Sequence, residues 1–128
     1  MKKIISTDKA PAAVGPYSQA VLSAGLLFVS GQIPVNPADG KVAQTIEEQA
    51  RQALKNVGAI LAEAGLGYED VVKTTVLLAD IADFKAVNAI YAEYFSENQP
   101  ARACFQVAAL PLGVKLEIEV IADAQKIC

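Results

Sequence analysis

An α+β fold with the element order ββ, α, β, α, ββ is predicted for this chain by three observations. Two stretches carry apolar residues at helical spacing, β-branched runs bounded by glycine and proline flank and separate them, and 128 residues fit one domain over 1–128. With 53% apolar and 20% charged residues, the chain has the composition of a folded unit whose apolar surface exceeds what a small monomer hides, which points toward an oligomer.

From Tyr17 to Val29, two apolar runs flank Ser23-Ala24-Gly25, the pattern of a hairpin with Gly25 at the demanding turn position. Gly31, Pro34, Pro37 and Asp39-Gly40 then interrupt regular structure. Thr45-Ile46-Glu47-Glu48 matches a capping box, and Ile46, Ala50, Ala53, Leu54, Val57, Ile60, Leu61 and Ala64 recur at three- and four-residue steps. This is an amphipathic helix closed by Gly65 and Gly67. Val71 to Ala79 is rich in β-branched residues and predicts a strand buried on both faces. A second helix, capped by Asp80 or Asp83, carries Phe84, Val87, Tyr91, Tyr94 and Phe95 on one face and stops at Pro100.

Arg102 to Ala108 alternates as a strand, with Arg102, Cys104 and Gln106 on one face. A turn at Leu110-Pro111-Leu112-Gly113 leads to a strand from Lys115 to Ala122, with Leu116, Ile118 and Val120 on one side and Glu117 and Glu119 on the other. If that turn is tight, Cys104 falls near Glu117 and Arg102 near Glu119, and a slip of one residue puts them on opposite sides. Both helices are expected on one face of a mixed sheet, which leaves the other face as the oligomer interface.

Eleven basic against fourteen acidic residues give no electrostatic reason to bind a polyanion, so nucleic acid is not an expected partner. Met1-Lys2-Lys3-Ile4-Ile5 lacks the apolar core of a signal peptide, and no run of about 18 apolar residues follows, so no membrane association and a cytoplasmic setting are expected. Cys104 and Cys128 lack metal or redox spacing. The absence of histidine excludes Ser-His-Asp and Cys-His arrangements within the chain and removes the usual zinc ligand. Chemistry here runs on carboxylates, hydroxyls, arginine, backbone groups and water, with no cofactor or metal expected.

Of the two arginines, Arg51 lies among polar helix positions and Arg102 opens an otherwise small and apolar strand. A guanidinium there needs an anion, supplied either by Glu117 or Glu119 as an internal ion pair or by a ligand carboxylate. Glu117 or Glu119, partly dehydrated beside a bound anion, has a raised proton affinity suited to acid/base work; equally, alternating charges on a strand mark a solvated face. Gly15-Pro16-Tyr17-Ser18 and Val29-Ser30-Gly31-Gln32-Ile33-Pro34 expose backbone donors and acceptors, as a pocket border or as ordinary turns. Asn88 sits on the aromatic helix face, where a buried amide bonded to backbone is the simplest reading. Cys104 reads most simply as a small core residue.

Ala13-Val14-Gly15-Pro16-Tyr17-Ser18-Gln19-Ala20, Val29-Ser30-Gly31-Gln32-Ile33-Pro34, Val87-Asn88, Pro100-Ala101-Arg102-Ala103-Cys104 and Leu116-Glu117-Ile118-Glu119 together closely resemble the reactive-intermediate deaminase (Rid) family, also called YjgF or UK114-like. The resemblance runs along the whole chain in order and spacing. It implies a chorismate-mutase-like fold, a homotrimer whose sheets form a central barrel, and a site in each intersubunit cleft. It implies hydrolysis of 2-imino and 2-enamino acids, released by pyridoxal-phosphate-dependent dehydratases, to 2-keto acids and ammonia. By the same carry-over Arg102 binds the substrate carboxylate and Glu117 orients or protonates water. Tyr17, Ser30, Gly31, Asn88 and Cys104 then surround the ligand.

Two other function classes stand beside this one. Relatives described as translation inhibitors or endoribonucleases raise an RNA-directed role, against which an acidic chain without histidine and without a basic stripe argues. A non-catalytic trimer binding small carboxylates would use Arg102 equally well and leave Glu117 dispensable.

Overall fold

The computed structural model describes residues 1–128. Six strands form one sheet: β1 (Lys3–Ile5), β2 (Ala20–Ser23), β3 (Leu26–Gln32), β4 (Val71–Leu78), β5 (Ala101–Gln106) and β6 (Leu116–Asp123), in the order β1-β2-β3-β6-β4-β5. Two helices, α1 (Ile46–Glu63) and α2 (Phe84–Tyr94), pack on it. The sheet is mixed, because only β4 and β5 run parallel.

The hairpin forms where expected, with Ser23 paired to Leu26 across a two-residue turn. Ala24 and Gly25 both have positive φ, 54° and 74°, which matches the twist of the flanking strands. Glycine accepts this freely, while Ala24 does so at a cost of about 1–2 kcal/mol. Helix α1 begins where the Glu48 N–H donates to the Thr45 hydroxyl, and it ends at Gly65, φ 83°. Asp80 caps a short turn that precedes α2, accepting from the Ala82 N–H at 2.9 Å.

The chain departs from the predicted arrangement in two places. A three-residue strand, β1, pairs with β2 and makes one edge of the sheet. More consequentially, the two strands after α2 do not pair with each other: β4 lies between them, parallel to β5 and antiparallel to β6. Burial explains this. β4 is the central element of its half of the sheet, with Val71, Thr74, Val76 and Leu78 buried beneath the helices, whereas β5 is largely exposed and takes the other edge. The segment joining β5 to β6 arches over the end of β4, tied down by Val107 N–H to Leu78 O (2.9 Å) and Ala79 N–H to Lys115 O (3.0 Å).

The core holds 24 residues, among them Leu27, Leu54, Ile60, Leu61, Val76, Leu116 and Ile118. All lie between the helices and one sheet face. The other face keeps Ile4, Phe28 and Phe105 between 42% and 50% exposed. Apolar side chains are therefore left in water along the uncovered side of the sheet.

Gly58 on α1 makes room for Tyr68, whose hydroxyl donates to the Leu54 carbonyl at 2.7 Å. A Cβ at Gly58 would lie 2.7 Å from Tyr68 Cζ. Gly-to-Ala changes within helices usually stabilise by about 1 kcal/mol. Here Gly58→Ala is expected to lower stability by about 1–3 kcal/mol through overpacking. Thermal unfolding checks this, and an unchanged or higher midpoint would contradict it.

Candidate active site

Strand pairing decides where each predicted site residue points. Arg102 is level with Thr74 and Cys104 with Val76, so both face the helices; Glu117 is level with Leu77 and alternates with buried Leu116 and Ile118, so it faces the open side. Arg102 and Glu117 thus occupy opposite faces, on strands separated by β4, about 10 Å apart sideways. Neither the Arg102–Glu119 nor the Cys104–Glu117 neighbourhood exists within one chain. The adjacency expected from a tight turn fails because the arch over β4 inserts a strand.

At the sheet edge, Arg102 Nη1 donates to Asn88 Oδ1 at 2.7 Å. Its guanidinium carbon lies 4.9 Å from the centre of the Tyr91 ring and 5.5 Å from that of Phe84. The internal ion pair with Glu117 or Glu119 is not formed, and Asn88 is half-buried and bonded to this side chain rather than to backbone. The contrast with Arg51 is direct: both terminal nitrogens of Arg51 grip the Glu93 carboxylate, at 2.6 and 3.0 Å. Arg102 meets no carboxylate in its own chain, so its charge is offered outward. Cys104 is half-buried beside it. Burial pushes the thiol's pKa up, only partly offset by Arg102, so the sulfur stays protonated at neutral pH and is a poor nucleophile.

The second cluster forms on β3 and β6. A bulge between Val29 and Gln32 leaves one extra residue on β3 opposite β6, at Ser30-Gly31. Glu117 lies across Gly31: a Cβ there would be 2.8 Å from the carboxyl carbon. Only glycine allows that approach. The Ser30 hydroxyl donates to Ser18 O at 2.6 Å and the Ser30 N–H to Gln19 O at 2.9 Å, tying the segment that carries Tyr17 against β3. Tyr17 is 48% exposed, and with Gly31 it lines a cavity of about 560 Å³ whose far wall includes Val35, Pro111 and Leu112. Burial, then the neighbouring Glu119 carboxylate, raise the proton affinity of Glu117 above the ordinary carboxylate value.

The residues singled out from the sequence thus fall into two clusters: Asn88, Arg102 and Cys104 on the helix side of one edge, and Tyr17, Ser30, Gly31 and Glu117 around the β3 bulge. One presents a guanidinium without a carboxylate partner, the other a carboxyl group of raised proton affinity. Tyr91 and Phe84, under the guanidinium, were legible only as part of the apolar helix face. The signal that would have found them is the 84/88/91 spacing, which puts them in one stripe with Asn88.

Glu117 also carries a pH signature. A carboxyl group whose pKa rises on folding favours the folded state below the ordinary carboxylate range, and that contribution is lost as pH rises through the raised value. At pH 7 its charge therefore costs stability. Glu117→Gln is expected to raise the unfolding midpoint at pH 7, with the gain vanishing below about pH 4. Thermal unfolding across pH measures this, and a gain that grows toward acid would reverse the assignment.

The chain is similar to known proteins along nearly its whole length. The family profile described as Endoribonuclease L-PSP matches residues 7–124. Human 2-iminobutanoate/2-iminopropanoate deaminase is 56% identical over 123 residues, covering 95% of this chain and 90% of the human protein. Reactive Intermediate Deaminase A, chloroplastic, of Arabidopsis thaliana is also 56% identical, over 94% of this chain, which spans 65% of the plant protein's length. Among solved structures, the YjgF gene product of E. coli superposes with a TM-score of 0.90 at 51% identity, over 94% of this chain and 98% of that one. E. coli TdcF with bound serine gives 0.90 at 48% identity with the same coverage. The chain belongs to the Endoribonuclease L-PSP family, which is the YjgF/Rid family.

Proposed function

We propose that this protein is a cofactor-independent imine/enamine deaminase that hydrolyses short 2-imino acids to 2-keto acids and ammonia, working as a homotrimer with its sites between protomers. One observation carries the reading: Arg102 and Glu117 sit on opposite faces of a single chain's sheet, so a site using both is completed only by a second copy. The uncovered apolar face, with Ile4, Phe28 and Phe105, supports such packing. The name of the human relative supplies the substrate class, and that of the Arabidopsis relative the deaminase reaction. Residues 1–128 share one core and act as a single domain in this reading. No helix is long and apolar enough to cross a membrane, and a cytoplasmic setting fits a short-lived intermediate made by soluble enzymes.

The enamine tautomerises to the imine, whose carboxylate docks on the Arg102 fork, with Asn88 fixing the guanidinium. A water held by Glu117 of the neighbouring protomer adds through oxygen to C2, and a proton reaches the imine nitrogen. The C2–N bond of the resulting amino alcohol then breaks, the hydroxyl proton leaves, and ammonia and the 2-keto acid depart. Glu117, with its raised proton affinity, takes and returns these protons. Tyr17, Ser30, Gly31 and the backbone of Cys104 enclose the ligand. Positioned proton transfer of this kind is worth about 10²–10⁴ in rate, enough to outrun an imine that already hydrolyses in water.

A serine or threonine dehydratase generating the imine, with 2-keto acid appearance followed with and without this protein, tests the activity directly; no acceleration would reject it. Arg102→Ala and Glu117→Ala are each expected to lose at least about 10²-fold. Mixing and reassembling the two inactive variants should restore about a quarter of wild-type activity, since that share of random heterologous interfaces pairs an intact Arg102 with an intact Glu117. No restoration in verified mixed trimers would place both groups in one chain's site. Ammonia release untouched by Glu117→Ala would instead favour a carboxylate-binding role without catalysis.

A further inference from the structure

We infer that Tyr91 and Thr74 are positioning residues for the Arg102 carboxylate receptor, holding the guanidinium ready for its ligand through a stack and a buried hydroxyl pair. The inference rests on the reading of Arg102 as the substrate anchor and adds the question of what aims it.

An arginine side chain loses considerable rotamer freedom when fixed, and an exposed one at a sheet edge ordinarily samples many rotamers. Arg102 is held on two sides. Asn88 takes one of its five donors at the tip, and the Tyr91 ring lies 4.9 Å beneath its centre. A guanidinium stacked on a ring keeps its hydrogen-bonding edge in plane and outward, which is the geometry a carboxylate needs.

The ring is itself anchored. Tyr91 is only 6% exposed, and its hydroxyl meets the Thr74 hydroxyl at 2.8 Å. Thr74 is fully buried and stands level with Arg102 on the neighbouring strand. Phe95 packs against the Tyr91 ring, with the ring centres 4.6 Å apart. Thr74 is the one polar side chain among the buried residues of β4, where valine would fill the same space without needing a partner. A buried hydroxyl pair contributes little net stability, but leaving either member unpaired is costly, so the pair fixes geometry more than it adds energy. Burial also pushes the Tyr91 phenol up, against the lowering pull of Thr74 and Arg102, so the ring stays neutral at working pH.

The full-length protein in its native assembly provides the test, with KM and kcat from the coupled dehydratase assay and binding of 2-oxobutanoate, an unreactive carboxylate, by calorimetry. Tyr91→Leu removes the ring and should weaken 2-oxobutanoate binding and raise KM by about tenfold. Tyr91→Phe and Thr74→Val each remove the hydroxyl pair and should weaken both by about two- to fivefold, with no further loss when combined. Thr74→Ser should restore wild-type values. A purely structural role would lower the folded fraction, and hence apparent kcat, while leaving KM and the binding constant unchanged; that outcome overturns the inference. Should Tyr91→Leu not fold, the Tyr91→Phe and Thr74→Val pair decides by itself. Arg102→Ala separates the two levels: if it abolishes 2-oxobutanoate binding while the Tyr91 and Thr74 variants bind normally, positioning fails and the anchor stands. If Arg102→Ala itself binds normally, the anchor reading has failed.

Discussion

Side chains alternate across a strand, and that single geometric fact governs how chemistry is distributed in this protein. Because β4 separates β5 from β6, and because the register pairs Thr74 with Arg102 and Leu77 with Glu117, the cation and the carboxyl group cannot meet within a chain. The arrangement avoids a stable internal ion pair that would silence both groups. It also leaves the guanidinium without a carboxylate partner in its own chain, so under the proposed function a site that uses both groups needs a second copy.

The local structure around each of the two residue clusters shows where stability is given up. A bulge interrupts the β3–β6 ladder at Ser30-Gly31, and the carboxyl group of Glu117 is drawn over glycine into a place where its charge is poorly hydrated and faces Glu119. At the other cluster a hydroxyl is buried on a central strand and an arginine lies over aromatic rings at an edge. The interrupted ladder and the poorly hydrated charge of Glu117 cost stability. The dense core between helices and sheet offsets them, with Leu54, Leu61, Val76, Leu116 and Ile118 all fully buried.

Much of this was legible from residues alone where the signal is local. The three- and four-residue spacing from Ile46 to Ala64 gave α1 with its cap and its closing glycine, and the alternation of Leu116, Ile118 and Val120 gave the buried side of β6. What failed depended on partners distant in the chain. Nothing in Leu110 to Gly113 states whether the strands on either side pair directly or straddle a third, and β1 is too short at three residues to show a period. The site residues entered through a family resemblance. Their separation into opposite faces, and the support of Arg102 by Tyr91 and Thr74, appeared only once helix α2 was seen lying over the β4–β5 edge.

The two borders of the sheet are unequal, and that inequality limits how copies join. β1 presents only three residues, Lys3 among them, whereas β5 runs for six. Endless ribbons of stacked sheets need two generous borders that template each other, and a stub with a charged lysine supplies a poor one. Growth by adding copies border to border is therefore disfavoured, whatever assembly the sheet's broad apolar side supports.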